Sequence, residues 1–580
     1  MRLANGSPVR GVSEGFAVAF RGIPFAEPPV GDLRWRPPVP STAWTAIRDA
    51  AAYGNACAQP NQLMFDRGLP GPVLTGNEDC LFVNVYSPRD AITSESNDEP
   101  IAKALPVAVH IHGGAYLFRN GNVNASALVQ HWAQVSGTPG VVVTFNYRLG
   151  VFGFLGADVL RTRDAGGTIS PGGSTGNMGI QDQRLAMDWV RRNVADFGGD
   201  PARVTILGES AGAGSITNHL VMQHSWGLFN AAILQSCAFP TWATQPMHLA
   251  EQTFDLLVEL AECSAAEPLA RVQCLVDASP GSILNASFLL MQGGDPTARP
   301  SYSRAGPLKM LYFSPVADGV EVTSLPWLIL ADGGQDVANV PILHGRNRDE
   351  TAVFLNALRS VYPRNFSDAA VQSLWSEHNF PSALLPNYLL AEYPAHPTAS
   401  VGWWTVLRAT TDKDFACAAQ FTSSRLARSP FHTAKTFQYM FNHPISSVDN
   451  SARFQRTLKD LVYHGEEGLF VFRLLVPSFT SPHYHVEVAK KADVATMNAM
   501  STVWGHFVTN HDPHAALLGS PWPAYDDTTE AAFLLGTNVV AHKYTSSVCD
   551  GWIQYLQTRL QDCVSGNCDG TSPGTVKAGT

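Results

Sequence analysis

Val204-Thr205-Ile206-Leu207-Gly208-Glu209-Ser210-Ala211-Gly212-Ala213-Gly214-Ser215 runs four apolar or β-branched residues into a string of small ones. The first four predict a buried strand. Beyond the small residues, Ile216, His219 and Leu220 fall on one stripe of a helix. Gly208-Glu209-Ser210-Ala211-Gly212 therefore reads as a G-x-S-x-G elbow between strand and helix. Backbone passes where side chains at Gly208 and Gly212 would sit. Ser210 is lifted clear of the sheet at a helix N-terminus, whose dipole favours negative charge. The plainer alternative is a Gly/Ser-rich turn that only connects two elements. The strand before and the helix after Ser210 favour a nucleophile.

On the N-terminal side, residues 1–50 hold Pro24, Pro28, Pro29, Gly31, Pro37, Pro38 and Pro40 around short apolar pieces. They predict antiparallel strands and an irregular crossing segment. A strand is expected over 81–86 and a polar surface loop over 88–104. Two near-continuous apolar runs follow, Leu105–Ile111 and 140–145. Runs without alternation are typical of strands buried on both faces of a parallel sheet. The first ends in His112-Gly113-Gly114-Ala115-Tyr116. That is either an ordinary turn or an oxyanion hole, whose backbone N–H groups must approach a reacting carbonyl closely. A phosphate loop is disfavoured, since no G-x-x-x-x-G-K-[ST] occurs.

Residues 182–197 predict an amphipathic helix, with Leu185, Ala186, Trp189 and Val190 on one face and a Gly-Gly-Asp-Pro stop at 198–201. Strands are expected over Ala231–Gln235, 340–345 and Thr436–Phe441, and helices through 245–310, 366–430 and 497–508. Strand and helix in alternation mean a parallel α/β sheet. No internal repeat is visible.

The chain has 580 residues, 45% hydrophobic and 15% charged, enough for a large core. A net charge of −10 without a Lys/Arg-rich run disfavours a nucleic-acid partner. No window of 18 uninterrupted apolar residues suggests a membrane span. Met1-Arg2-Leu3-Ala4-Asn5-Gly6 lacks the apolar core of a signal peptide, which leaves a cytosolic chain or one cut from a longer precursor. Nine cysteines, several flanking loop-like segments, and N-x-S sequons at Asn5, Asn124, Asn285 and Asn365 favour a secreted protein.

A serine hydroxyl needs a histidine to take its proton, and that histidine needs an acid to fix its tautomer. The α/β-hydrolase architecture supplies them in the order Ser, acid, His, each after a strand. Ser210, Glu350 and His464 satisfy that order. Asp349 and Asp318 compete as the acid, and spacing does not choose among the three.

Gly199-Asp200-Pro201-x-x-Val204-Thr205-x-x-Gly208-Glu209-Ser210-Ala211-Gly212 resembles the type-B carboxylesterase/lipase family, which includes cholinesterases, liver-type carboxylesterases and fungal lipases. Phe20-Arg21-Gly22-Ile23-Pro24-Phe25-Ala26-Glu27-Pro28-Pro29-Val30-Gly31 is similar to its N-terminal signature. Glu78-Asp79-Cys80-Leu81-Phe82-Val83-Asn84-Val85 is similar to its second, and Asn177-Met178-Gly179-Ile180-Gln181-Asp182-Gln183 to the helix before the elbow. The resemblance implies an α/β-hydrolase fold, a large mostly parallel central sheet with helices on both faces. One domain over 1–563 and a flexible tail over 564–580 are expected.

By the same resemblance Ser210 is the nucleophile, Glu350 the triad acid and His464, in His464-Gly465-x-Glu467, the base. Gly114, Ala115 and Ala211 supply the oxyanion donors. Disulfides Cys57–Cys80, Cys263–Cys274 and Cys417–Cys549 are implied, Cys563–Cys568 closes a small loop, and Cys237 is left free. Arg34–Glu78 and Arg148–Asp182 are implied as structural ion pairs. The expected function is carboxylic-ester hydrolysis through a covalent acyl-enzyme, with no metal or organic cofactor and a small-molecule or lipid ester as substrate. Two alternatives are a lipase for long-chain esters, with a lid at 58–79 carrying Leu63, Met64, Phe65 and Leu69, and a non-catalytic adhesion protein of the neuroligin-like kind. Residues 58–79 lack the tryptophan that binds choline in cholinesterases, so choline-ester specificity is not expected. Cys237 replaces a glycine usual in the family, which puts the backbone near the site in question.

Overall fold

The computed structural model describes residues 1–61, 73–92, 104–166, 170–292, 312–357, 363–389, 399–446, 458, 460–475, 490–514, 521–536, 539–543 and 546–566. Eleven strands form its main sheet. In chain order they are β1 (Val12–Glu14), β2 (Ala17–Pro24), β3 (Phe82–Pro88), β4 (Leu105–Ile111), β5 (Val141–Phe145), β6 (Gly199–Glu209), β7 (Ala231–Gln235), β8 (Ile342–Asn347), β9 (Thr436–Phe441), β10 (Ala531–Leu535) and β11 (Val540–Lys543). Their order across the sheet is β11-β10-β9-β8-β7-β6-β4-β5-β3-β2-β1. Every pairing from β5 through β10 is parallel, and β1 to β3 and β11 close the two sides in antiparallel fashion. This is the α/β-hydrolase arrangement expected, with the elbow leaving β6 in the middle of the sheet.

Burial on both faces explains the unbroken apolar runs. Along β4, Val107, Val109 and Ile111 enter one core cluster while Ala108 enters a second on the opposite face. In β5, Val141, Val143 and Phe145 face the first cluster and Val142 the second. The first core also receives helix α1 (Met178–Asn193) and helix α2 (Ala211–Val221), through Ile180, Leu185 and Val190 and through Ile216 and Leu220. The second receives α4 (Lys491–Asn510) through Met497, Met500, Val503, Trp504 and Phe507. A third, aromatic cluster gathers Trp375, Trp403, Trp404 and Trp552. It spans the disulfide from Cys417, at the start of α3 (Cys417–Arg428), to Cys549 in α5 (Val548–Val564).

Two expectations need correction. The helix expected over 182–197 begins at Met178 and is buried almost all round, so its polar residues Gln181, Asp182, Gln183 and Arg184 point into the protein rather than to solvent. Residues 521–563, for which the pattern predicted nothing, supply β10, β11 and α5. Of the tail, 567–580 lies outside the described residues, as does Cys568; Cys563 is disulfide-bonded. Cys57–Cys80, Cys263–Cys274 and Cys417–Cys549 are formed, and Cys237 is a buried thiol. Arg34 and Glu78 pair at 2.7 Å, as do Arg148 and Asp182. Among the described residues no single helix is long and apolar enough to cross a membrane.

Candidate active site

Ser210 stands between β6 and α2 at φ 58° and ψ −124°. This strained conformation persists because the surroundings leave no other path. A Cβ on Gly212 would lie 2.0 Å from the Ile111 carbonyl oxygen, and one on Gly208 would lie 2.7 Å from the Gly212 backbone. The elbow is therefore pressed against the end of β4, and glycine is required on both sides of it. The Ser210 amide donates to the Gln235 carbonyl at 2.9 Å, which ties the turn to β7.

The loop after β4 lies alongside. Gly114 has φ 112°, Ala115 φ 56° and Tyr116 φ 58°, a left-handed run in which two of three residues are not glycine. A Cβ on Gly113 would be 3.1 Å from the Ser210 Cβ, which measures how near the loop comes to that serine. Among the described residues the amides of Gly114, Ala115 and Ala211 donate to no other group. They are available to an oxyanion.

His464 follows the loop after β9 and packs against the rings of Phe354 and Phe415, at centroid distances of 5.0 and 5.1 Å. Its Nδ1 is 2.7 Å from Glu350 Oε2. Glu350 is wholly buried at the end of β8, and its Oε1 accepts from the Asn347 amide at 2.7 Å. Nε2 of His464 has no hydrogen-bond partner, Ser210 Oγ included, so the expected row of three is closed on the acid side and open on the serine side. Hydroxyl–imidazole contacts often tighten only when substrate is bound.

The rival acids are occupied elsewhere. Asp349 is buried in ion pairs with Arg348 and Arg408 at 2.8 and 3.0 Å. Asp318 caps a turn, accepting the amides of Val320, Glu321 and Val322, and also holds Ser174 and Thr175.

Glu209, to which the sequence reading gave no role, is the hub of the cluster. Its Oε1 approaches His464 Nε2 to 3.2 Å without hydrogen-bond alignment, and its Oε2 accepts from Arg119 Nη1 at 3.1 Å. Burial disfavours the imidazolium of His464, but Glu209 and then Glu350 outweigh it and hold the ring above the ordinary histidine range. A charged residue in the apolar end of β6 was the available signal for Glu209; Arg119 had none. Cys237 sits buried beside the Thr217 hydroxyl, and the left-handed turn next to it is taken by Ser236, at φ 54°. The lid residues Leu63, Met64, Phe65 and Leu69 lie outside the described residues.

Residues 4–552 match the model of the carboxylesterase family. The chain is 31% identical to the fumonisin B1 esterase of Sphingopyxis macrogoltabida over 91% of its own length and 84% of that protein's. It is 30% identical to the cholinesterase of Mus musculus, covering 97% of this chain and 87% of that one. The solved structure of the Geobacillus stearothermophilus carboxylesterase EST55 superposes with a TM-score of 0.72 at 28% identity, over 94% of this chain and 98% of the other. The chain thus belongs to the carboxylesterase family and is a carboxylic-ester hydrolase.

Proposed function

We propose that Ser210 attacks the ester carbonyl while His464 Nε2 takes its proton, and that the amides of Gly114, Ala115 and Ala211 hold the oxyanion. The observation that carries this reading is the 2.7 Å bond from His464 Nδ1 to buried Glu350. It fixes the proton on Nδ1 and leaves a basic lone pair on Nε2. The protonated imidazole then gives its proton to the departing alcohol. Water cleaves the acyl-enzyme by the same steps, with His464 again as base and then acid. Glu350 accepts from Nδ1–H and steadies the imidazolium.

Hydrolysis of p-nitrophenyl esters of increasing chain length tests the mechanism. Ser210→Ala should lower kcat by about 10⁴-fold or more. Activity surviving in that variant rejects the reading. A preference for short acyl chains distinguishes a carboxylesterase from a lipase. The disulfides further support secretion. Asn5, Asn285 and Asn365 are exposed, so they are the sequons proposed to carry glycan. Asn124 is half-buried and donates to Glu14 at 3.4 Å. Mass analysis before and after deglycosylation of the secreted protein checks this; an unmodified chain refutes it.

A further inference from the structure

Arg119 is the exposed member of an otherwise buried cluster. Its side chain keeps 46% of its surface accessible, against 9% for its partner Glu209 and 7% for His464. Its backbone is in the left-handed region, at φ 72°, and its carbonyl accepts from Gln59 Nε2 at 2.9 Å, so the residue is held in place from behind. A Cβ on Gly465, the residue after the base, would lie 3.4 Å from Glu209 Oε1 and 3.5 Å from Arg119 Nη2. A Cβ on Gly114 would lie 3.2 Å from Arg119 Cγ. The stem of Arg119 therefore adjoins the loop of Gly114 and Ala115, and its guanidinium adjoins the loop that carries His464.

Its side of the site follows from the chemistry. His464 Nε2 must hand its proton to the leaving alcohol oxygen, so the alcohol portion of the ester passes beside Nε2. Among the described residues Glu209 and Arg119 are the charged groups found there. Without Arg119, the Glu209 carboxylate would draw a cationic alcohol to that place. With it, the inner carboxylate is matched, and the outermost charge a substrate meets is positive. Glu209 is the only ion-pair partner of Arg119 among the described residues. The rest of its guanidinium is turned to solvent.

We infer that Arg119 sets leaving-group specificity, selecting esters whose alcohol portion carries a carboxylate and discriminating against those that carry a quaternary ammonium. This rests on the reading of Ser210 and His464 given above. Attraction to a half-exposed guanidinium is modest and is screened by salt. A preference of about 2- to 5-fold in kcat/KM is the scale expected of one such contact.

The test uses three acetate esters of matched size: of choline, of the neutral isostere 3,3-dimethylbutanol, and of 3-hydroxypropionate. Each is run as a competitor of p-nitrophenyl acetate, so kcat/KM ratios come from one enzyme sample. The wild type should favour the anionic ester over the neutral one and the neutral over the cationic, with the spread shrinking as salt is added. Arg119→Gln should lower the anionic-to-neutral ratio about 2- to 5-fold and raise the cationic-to-neutral ratio. Arg119→Lys should keep the wild-type order. An Arg119→Gln variant that moves all three rates by one factor overturns the inference, as does a wild type indifferent to charge. Ser210→Ala separates the two failures. Neutral-ester cleavage that survives in it sinks the mechanism, whereas cleavage lost in it but blind to Arg119 sinks only the specificity.

Discussion

Glu209 and His464 illustrate how much one buried charge decides. An imidazole packed against two phenylalanine rings would ordinarily resist protonation, and burial is the largest influence on His464. Two carboxylates, Glu209 and Glu350, reverse the sign. In its proposed role as base His464 works only when neutral, so kcat/KM should rise with pH through the His464 pKa, and that acid limb should fall above the usual histidine range. Glu209→Gln removes the stronger of the two Coulombic attractions, Glu350 keeping its hydrogen bond as well, and leaves Arg119 unbalanced, and both changes disfavour the imidazolium. The acid limb of the kcat/KM profile should then move to lower pH. A profile left in place would show that Glu209 has no hold on the base. No sequence pattern announces this coupling, because Glu209 and His464 meet only across the sheet's end.

The oxyanion loop poses its question at the level of an element. Ala115 and Tyr116 are both left-handed without being glycine, a conformation that costs of order 1 kcal/mol or more per residue and must be held from outside. Tyr116 supplies the hold. It is wholly buried, its ring meets Phe154 edge-on at 5.1 Å, and its hydroxyl donates to the Ala243 carbonyl at 3.3 Å and contacts the Ser215 hydroxyl on α2. A Cβ on Gly214 would stand 2.4 Å from that hydroxyl, so α2 is open just where the tyrosine arrives. The loop bearing Ala115 and the helix bearing Ala211 are in this way kept in register. Tyr116→Phe should lower kcat about 5- to 10-fold at nearly constant KM, the loss expected when about 1 kcal/mol of positioning disappears. A KM effect alone would place Tyr116 in substrate binding instead.

The elements that position the site were legible because each carried a local reason: unalternating apolar runs for β4 and β5, and glycines flanking Ser210. What escaped lacked one. Helix α1 reads as amphipathic by its pattern, yet Asp182 and Arg184 are buried because Arg148 and Glu321 lie across from them. Those partners come from distant parts of the chain. β10 and β11 are short, at the far side of the sheet, and only β10 is buried in part. Their place is set by pairing with β9, not by their own sequence. The choice of Glu350 over Asp349 came from the family resemblance and from no local pattern, and burial does not separate the two, since both are wholly buried and adjacent. Only the direction in which each points separates them.

At the scale of the molecule, three cores are joined by a chain whose last described helix, α5, returns to α3. The Cys417–Cys549 bond closes 132 residues and lies inside the third, aromatic core, where Trp552 packs near Trp375 and Phe380 and bonds the Tyr388 hydroxyl at 2.8 Å. Cys263–Cys274 closes 11 residues on the protein's flank, with Cys274 only half-buried. If cross-links act mainly by restricting the unfolded chain, the long loop should matter more: about 5 kcal/mol against about 3 kcal/mol or less. Paired Cys417→Ala and Cys549→Ala substitutions should therefore lower the midpoint of urea unfolding more than paired Cys263→Ala and Cys274→Ala. The phenylalanines that flank His464 include Phe415, two residues before Cys417, so loosening α3 should also reach the base. The long-loop variant should lose ester hydrolysis at a lower urea concentration than it loses helix content, while the short-loop variant should lose both together. Coincident transitions in both variants would mean that the bond holds the C-terminal helix without steadying the site.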